Sequence, residues 1–208
     1  MAIKPILFNT EMVRAILEGR KSCTRRIVKP QQLIGMLPDK CKNGAPEKFL
    51  KEKKLMFKPY CDMTDIELIN TAYKAPYQPG DILYVRETWK KAPNGYYYYE
   101  DWQRNDIADV TKWKPSTRMP KEAARIWLKV TDVRVERLQE VSAESALAEG
   151  ADKYIHTNGG LDENMTITSF IGIWNSTIKK SDLDSYGWSA NPWVWFIEFE
   201  RCEKPEGV

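Results

Sequence analysis

Gly19-Arg20-Lys21-Ser22-Cys23-Thr24-Arg25-Arg26-Ile27-Val28 changes from the end of a helix to the start of a strand within a few residues. Upstream, Ile6-Leu7-Phe8 reads as a short strand, and Asn9 or Thr10 can cap a helix. Met12, Val13, Ile16 and Leu17 follow helical spacing, and Gly19 stands where a C-terminal stop belongs. These signals predict a helix from about Glu11 to Glu18. Thr24 to Val28 then reads as a strand, with Thr24, Arg26 and Val28 on one face and Arg25 and Ile27 on the other. Lys21 falls in the turn, where it can bend over the face carrying Thr24 and Arg26.

Working outward, Gln31 to Pro79 reads as an insertion rich in Lys and Pro with weak periodicity. The turn signal Pro79-Gly80-Asp81 opens a strong strand, Ile82 to Trp89, with Leu83, Val85, Glu87 and Trp89 on one face. A second insertion, from about Lys90 to Lys121, holds the tyrosine run 96–99, Trp102 and Trp113. Its mixture of aromatic and basic residues suits stacking on bases, or else a hairpin that packs its rings over the sheet. Ile126 to Leu138 is a long strand whose apolar phase slips near Thr131-Asp132, the sign of a bulge. Ser142 caps a short helix that Gly150 ends, and Thr168 to Ile178 forms another with Phe170, Ile171, Trp174 and Ile178 on one side. The last strand, Trp193 to Glu200, has a first half apolar on both faces. The element order predicts an α+β chain with a partly closed β-barrel, flanking short helices and two long insertions, at about 31–79 and 90–121.

The chain has 208 residues, which fits a single domain spanning 1–208 better than two domains. No apolar run is long enough to cross a membrane, and the start is too short for a signal-peptide core, so a cytoplasmic protein is expected. Net charge is +3, but residues 1–60 hold 14 Lys/Arg against 5 Asp/Glu. That basic third either attracts phosphate or is a solvated lysine-rich loop, since Lys48 to Lys58 is dense in lysine. Cys23, Cys41, Cys61 and Cys202 form no C-x-x-C pair, and His156 is the one histidine. Cys41 and Cys61 could supply half a zinc site, but the spacing favours free thiols, and neither metal nor cofactor is expected.

Three groups carry the chemistry. Lys21, Thr24 and Arg26 offer an ammonium, a hydroxyl and a rigid guanidinium fork for a carbonyl or phosphate. The alternative is that these cations serve only the dipole of the preceding helix. Glu149 lies in the last turn of its helix, facing the negative end of the dipole, which raises its proton affinity unless a cation is close. At the surface it would be an ordinary exposed glutamate. Glu87 shares an apolar face and must be paired, with Arg26 or Lys21 as partners, unless it reaches solvent at the strand end.

Gly19-Arg20-Lys21-Ser22-Cys23-Thr24-Arg25-Arg26 resembles the G-x-K-x-x-T-x-R signature of ASCH domains, PUA-like barrels associated with RNA. Pro79 to Trp89, Trp113 to Ser116, Arg125 to Arg134 and Asn191 to Trp195 resemble a phage- and prophage-encoded branch of that superfamily. The resemblance implies a cytoplasmic protein of a bacterial host cell that binds RNA or a modified nucleoside or nucleotide. Arg25, Arg26, Arg86, Glu87 and Trp89 are the binding candidates. Some bacterial ASCH proteins are amidohydrolases acting on N4-acetylcytidine through a lysine, a threonine and a glutamate. That implies a second reading, in which Lys21 is the base, Thr24 the nucleophile and Glu149 the proton shuttle. A third reading is a phage morphogenesis or interaction protein.

Overall fold

A computed structural model describes residues 1–29, 64–103 and 112–207. The Lys48–Lys58 run and the Cys41/Cys61 pair lie outside the described residues. The central element is a five-stranded sheet built from β1 (Ile3–Leu7), β2 (Cys23–Ile27), β3 (Ile82–Arg86), β6 (Trp127–Arg137) and β7 (Trp193–Cys202), in the order β1-β3-β6-β7-β2. β1 runs parallel to β3, and every other neighbour is antiparallel. A separate hairpin pairs β4 (Trp89–Ala92) with β5 (Gly95–Tyr98).

The α+β class is as expected, but the described strands close no barrel. β1 and β2 are the two edges of an open sheet. A side chain bridges them instead of a ladder: Arg26 of β2 donates from Nη2 to the Leu7 carbonyl of β1 at 2.9 Å. Two outward main-chain groups of β2 are already occupied, which leaves less of that edge to pair. The Cys23 carbonyl accepts from Lys21 Nζ at 2.7 Å, and the Arg25 N–H donates to Glu149 Oε1 at 2.7 Å. Side chains that blunt an edge in this way also discourage pairing with another chain. In β6 the register shifts between Val130 and Asp132, the bulge expected at Thr131-Asp132. β7 is buried continuously from Trp193 to Ile197, matching its two-sided apolar pattern.

The helices largely follow their end signals. α1 (Thr10–Leu17) is capped by Asn9, whose Oδ1 accepts from Met12 N at 2.8 Å, and ends at Gly19 with φ 74°. α4 (Ala143–Ala148) is capped by Ser142 and ends at Gly150, with φ 101°. A Cβ at Gly150 would lie 3.3 Å from Ala15 Cβ, so this glycine lets α1 and α4 meet closely. α5 (Glu163–Thr177) starts earlier than Thr168 because Asp162 caps it, accepting from Met165 N at 3.0 Å. α3 (Tyr99–Gln103) follows the hairpin, and α6 (Leu183–Tyr186) precedes β7. The first insertion contains an unexpected helix, α2 (Asp65–Ala72), fixed by a capping box between Thr64 and Glu67. The end signal was present in the sequence, but the lysine- and proline-rich surroundings masked it.

The main core packs α1 and α2 against one sheet face through residues such as Ile6, Phe8, Ile16, Ile69, Leu83 and Ile197. A second cluster, including Leu138, Ala146, Phe170 and Trp174, lies under α4 and α5. A third joins Trp89, Met119 and Trp127 to the inner rings of the hairpin. No helix among the described residues is long and apolar enough to cross a membrane.

Candidate functional site

The end of α1, the start of β2 and the end of α4 are knitted together by main-chain hydrogen bonds. Arg20 N and Lys21 N both donate to the Ala15 carbonyl, at 2.8 and 3.0 Å, and Ser22 N donates to Ala148 O at 2.8 Å. This places position 21 beside position 149, as the sequence reading required. The contact between them is not the expected one. Lys21 Nζ donates to the main-chain carbonyl of Glu149 at 2.8 Å, capping a carbonyl at the negative end of α4. The Glu149 carboxylate belongs to Arg25, accepting from Arg25 N at 2.7 Å and Arg25 Nη1 at 2.6 Å.

Arg25 is enclosed. Its Nε donates to Glu136 Oε1 at 2.7 Å and its Nη2 to Ser145 Oγ at 2.7 Å, while Phe196 and Phe170 cover the guanidinium at 4.7 and 5.4 Å. Only 3 % of the residue is exposed, so Arg25 is a buried structural cation rather than a ligand contact. The Glu149 carboxylate, at the C-terminal end of α4, thus has its cation in direct contact. Cys23, on the same strand face, is buried with its thiol pushed up to about 12, chiefly by burial, which makes it a poor nucleophile.

The other face of β2 carries Thr24 and Arg26. Thr24 is buried opposite Ile197. Lys21 Nζ and the Arg26 guanidinium both approach the Phe8 ring, at 5.3 and 5.4 Å. Burial lowers the Lys21 ammonium to about 8, against an opposing pull from Glu149, and also lowers the Arg26 guanidinium. Neither cation has a carboxylate within ion-pair distance among the described residues. Arg26 also borders a groove of about 340 Å³ whose lining includes Lys29, Tyr73, Lys74, Tyr77 and Trp195. A neighbouring hollow of about 480 Å³ shares Tyr73, Lys74 and Trp195. Tyr73, Lys74 and Tyr77 were missed as site residues because they follow α2, inside a segment read as a featureless insertion.

The remaining candidates lie elsewhere. Glu87 is buried but pairs with Arg125, not with Lys21 or Arg26: Nε to Oε1 and Nη2 to Oε2 are each 2.9 Å. Burial raises the Glu87 carboxyl, and the Arg125 guanidinium opposes that rise. Arg125 also holds Asp101 at 2.7 Å and covers the Tyr98 ring at 4.0 Å. Arg86 donates from Nε to the Met119 carbonyl at 2.9 Å, and Trp89 is buried in the third core cluster. On the far side of Gly150, a cleft of about 250 Å³ reaches Glu149, but its two arginines are tied to other carboxylates. Arg14 holds Glu100 at 2.9 Å and Arg20 holds Glu18 at 2.8 Å. No group of three or more His, Cys, Asp or Glu suited to a metal occurs among the described residues. No family model, curated protein or solved structure matches the chain.

Proposed function

We propose that the chain binds RNA or a modified nucleotide, with Arg26 as its central contact. The supporting observation is the charge division across β2. Arg25 takes up Glu149 and Glu136 on one face, while Lys21 and Arg26 stand on the other beside buried Thr24, without a carboxylate partner among the described residues. A phosphate or base carbonyl reaching Arg26 meets a planar donor fork already desolvated by its surroundings. Lys29 and Lys74 add positive charge at the groove, and the half-buried Tyr77 offers an apolar ring to a base. The resemblance to ASCH domains points to the same ligand class. The reading is tested by titrating labelled RNA at several salt concentrations. Affinity is expected to fall as salt rises, and Arg26→Gln is expected to weaken binding and flatten the salt dependence. Salt-indifferent affinity, or an unaltered Arg26→Gln protein, would remove the basis for a phosphate-led interface.

A second reading, hydrolysis of N4-acylcytidine, is favoured by one feature: burial lowers the Lys21 ammonium to about 8, so a minor but appreciable neutral fraction is present just below that pH. In that mechanism the amine takes the Thr24 hydroxyl proton as the oxygen attacks the acyl carbonyl. The cytosine amine leaves with a proton, and water then hydrolyses the threonyl ester to release the acid. Glu149 ranks this reading second, because its carboxylate must leave Arg25 before it can shuttle a proton. Acetate release from N4-acetylcytidine, rising with pH through about 8 and abolished by Lys21→Ala and Thr24→Ala, is its signature. Turnover no faster than that of those variants excludes it.

A further inference from the structure

The dipeptide Asn-Gly occurs at 43–44, 94–95 and 158–159. The first lies outside the described residues. The other two sit in hairpin turns, and the turns differ. Asn94-Gly95 closes the β4–β5 ladder, where Ala92 faces Gly95 and pairing continues through Lys91, Lys90 and Trp89. The Trp89, Tyr96 and Tyr98 rings anchor that ladder in the third core cluster. Asn158-Gly159 lies between Ile155 and Leu161, which form a single isolated bridge, and every residue from 152 to 160 is exposed. Two main-chain bonds hold this second turn, His156 N to Gly160 O at 2.8 Å and Gly159 N to His156 O at 2.9 Å. Within it the Asn158 carboxamide folds back on its own chain, Oδ1 accepting from Gly160 N at 3.1 Å. The Asn94 side chain makes no such contact among the described residues.

We propose that Asn158 is a site of spontaneous deamidation, and that the fold makes it react ahead of Asn94. The Gly159 main-chain nitrogen gives up its proton and bonds to Asn158 Cγ. The bond from Cγ to the carboxamide nitrogen breaks, and that nitrogen leaves as ammonia with the proton. Water then opens the cyclic imide at either carbonyl, giving aspartate or isoaspartate. Glycine carries no Cβ to obstruct the attack. Negative charge builds on Oδ1 as the bond forms, and the Gly160 N–H already directed at that oxygen stabilises it. The Gly159 N–H must first release the His156 carbonyl. One exposed bridge opposes that opening, whereas freeing Gly95 parts the end of a ladder that carries packed rings. The product adds a carboxylate to a turn whose ends carry the His156–Asp162 pair, 3.5 Å apart. As isoaspartate it also adds a main-chain carbon, which breaks the register of the turn. The Asp162 N–H donates to the Tyr154 carbonyl at 2.8 Å, so the altered turn is joined to the residue that caps α5.

The test incubates the folded protein in mildly alkaline buffer, with a parallel sample in concentrated urea, and follows both by tryptic peptide mass and isoaspartate content. Cleavage after Lys and Arg puts Asn158 in the peptide 154–179 and Asn94 in the peptide 92–104. In the folded protein Asn158 is expected to convert roughly tenfold faster than Asn94, the ratio that a modest difference in local opening gives. In urea the two are expected to agree within about twofold, because the turns are gone. Asn158→Gln is expected to abolish conversion in its peptide and to leave the Asn94 rate and the circular dichroism unchanged. Asn94 reacting as fast as Asn158 in the folded protein overturns the inference. So does the same preference for Asn158 in urea, which would make local sequence rather than the fold its cause. Isoaspartate that persists in the Asn158→Gln peptide would come from Asn164 or Asn175, and the assignment to Asn158 would fall.

Discussion

Two corners of the molecule each bury a glutamate against an arginine, and they differ in what is left over. At the start of β2, Arg25 satisfies Glu149 and Glu136, yet among the described residues Lys21 and Arg26 remain beside it without carboxylates. At the end of β3, Arg125 takes up Glu87 and Asp101, and no further cation of this corner stands unpaired beside them among the described residues. A buried ion pair is costly to form and costly to break, and by itself it does not mark a site. An uncompensated cation beside one is the more informative signal, because desolvating it for no ligand brings no gain.

The contrast is sharpened first by removing the arginines. Arg25→Met leaves the buried Glu149 carboxylate without its cation and Glu136 with only Arg134 at 3.6 Å, and a loss of about 3–5 kcal/mol in denaturant unfolding is expected. Arg125→Met exposes Glu87 to the same problem, but the Arg125 side chain is 23 % accessible, so water can reach the vacated space. A loss of about 2 kcal/mol is expected there, with the protein still folded. Equal losses at the two sites, or a larger one at Arg125, would break the distinction between an enclosed and a half-open pair.

A smaller effect separates Lys21 from its neighbour Cys23. The folded-state Lys21 pKa of about 8 lies below the ordinary 10.5, so between those values the unfolded chain binds more protons and stability rises with pH. From pH 8 to 9 the gain is about 1 kcal/mol. Cys23 acts in the opposite sense. Its thiol is pushed up from 9.0 to about 12, so above pH 9 the unfolded chain loses a proton that the folded chain keeps, and stability falls. Unfolding measured against pH is expected to show a rise that levels between about pH 9 and 10 in wild type, a fall without the preceding rise in Lys21→Met, and a continued rise in Cys23→Ala. A Lys21→Met curve parallel to wild type would mean that the ammonium is not desolvated.

Much of this was legible in the sequence. Strong periodicity and end signals predicted β2, β6 with its bulge and the capping at Ser142, and they ran β3 on to Trp89 where the strand ends at Arg86; the nearness of positions 21 and 149 was an expectation from the resemblance alone. What was not legible follows from physics that acts across the chain. Arg25 could be placed on the face opposite Thr24, but no local pattern says that its guanidinium takes the Glu149 carboxylate, which depends on how α4 packs against the edge of β2. Glu87 could be recognised as needing a partner, but Arg125 lies before β6 and reaches it only through sheet pairing. The barrel expectation failed because strand count does not reveal that side chains occupy main-chain groups at the edge of β2.

The central claim is that Arg26, not the engaged pairs, faces the ligand. Side-chain ¹⁵N spectra of arginine Nε–H and lysine ammonium groups, recorded as cytidine monophosphate is added, address it directly. The account predicts that the Arg26 signal moves together with the Trp195 indole, which lines the same groove, while Arg25 and Arg125 stay fixed. Movement confined to Arg25 or Arg125, with Arg26 unchanged, would contradict it.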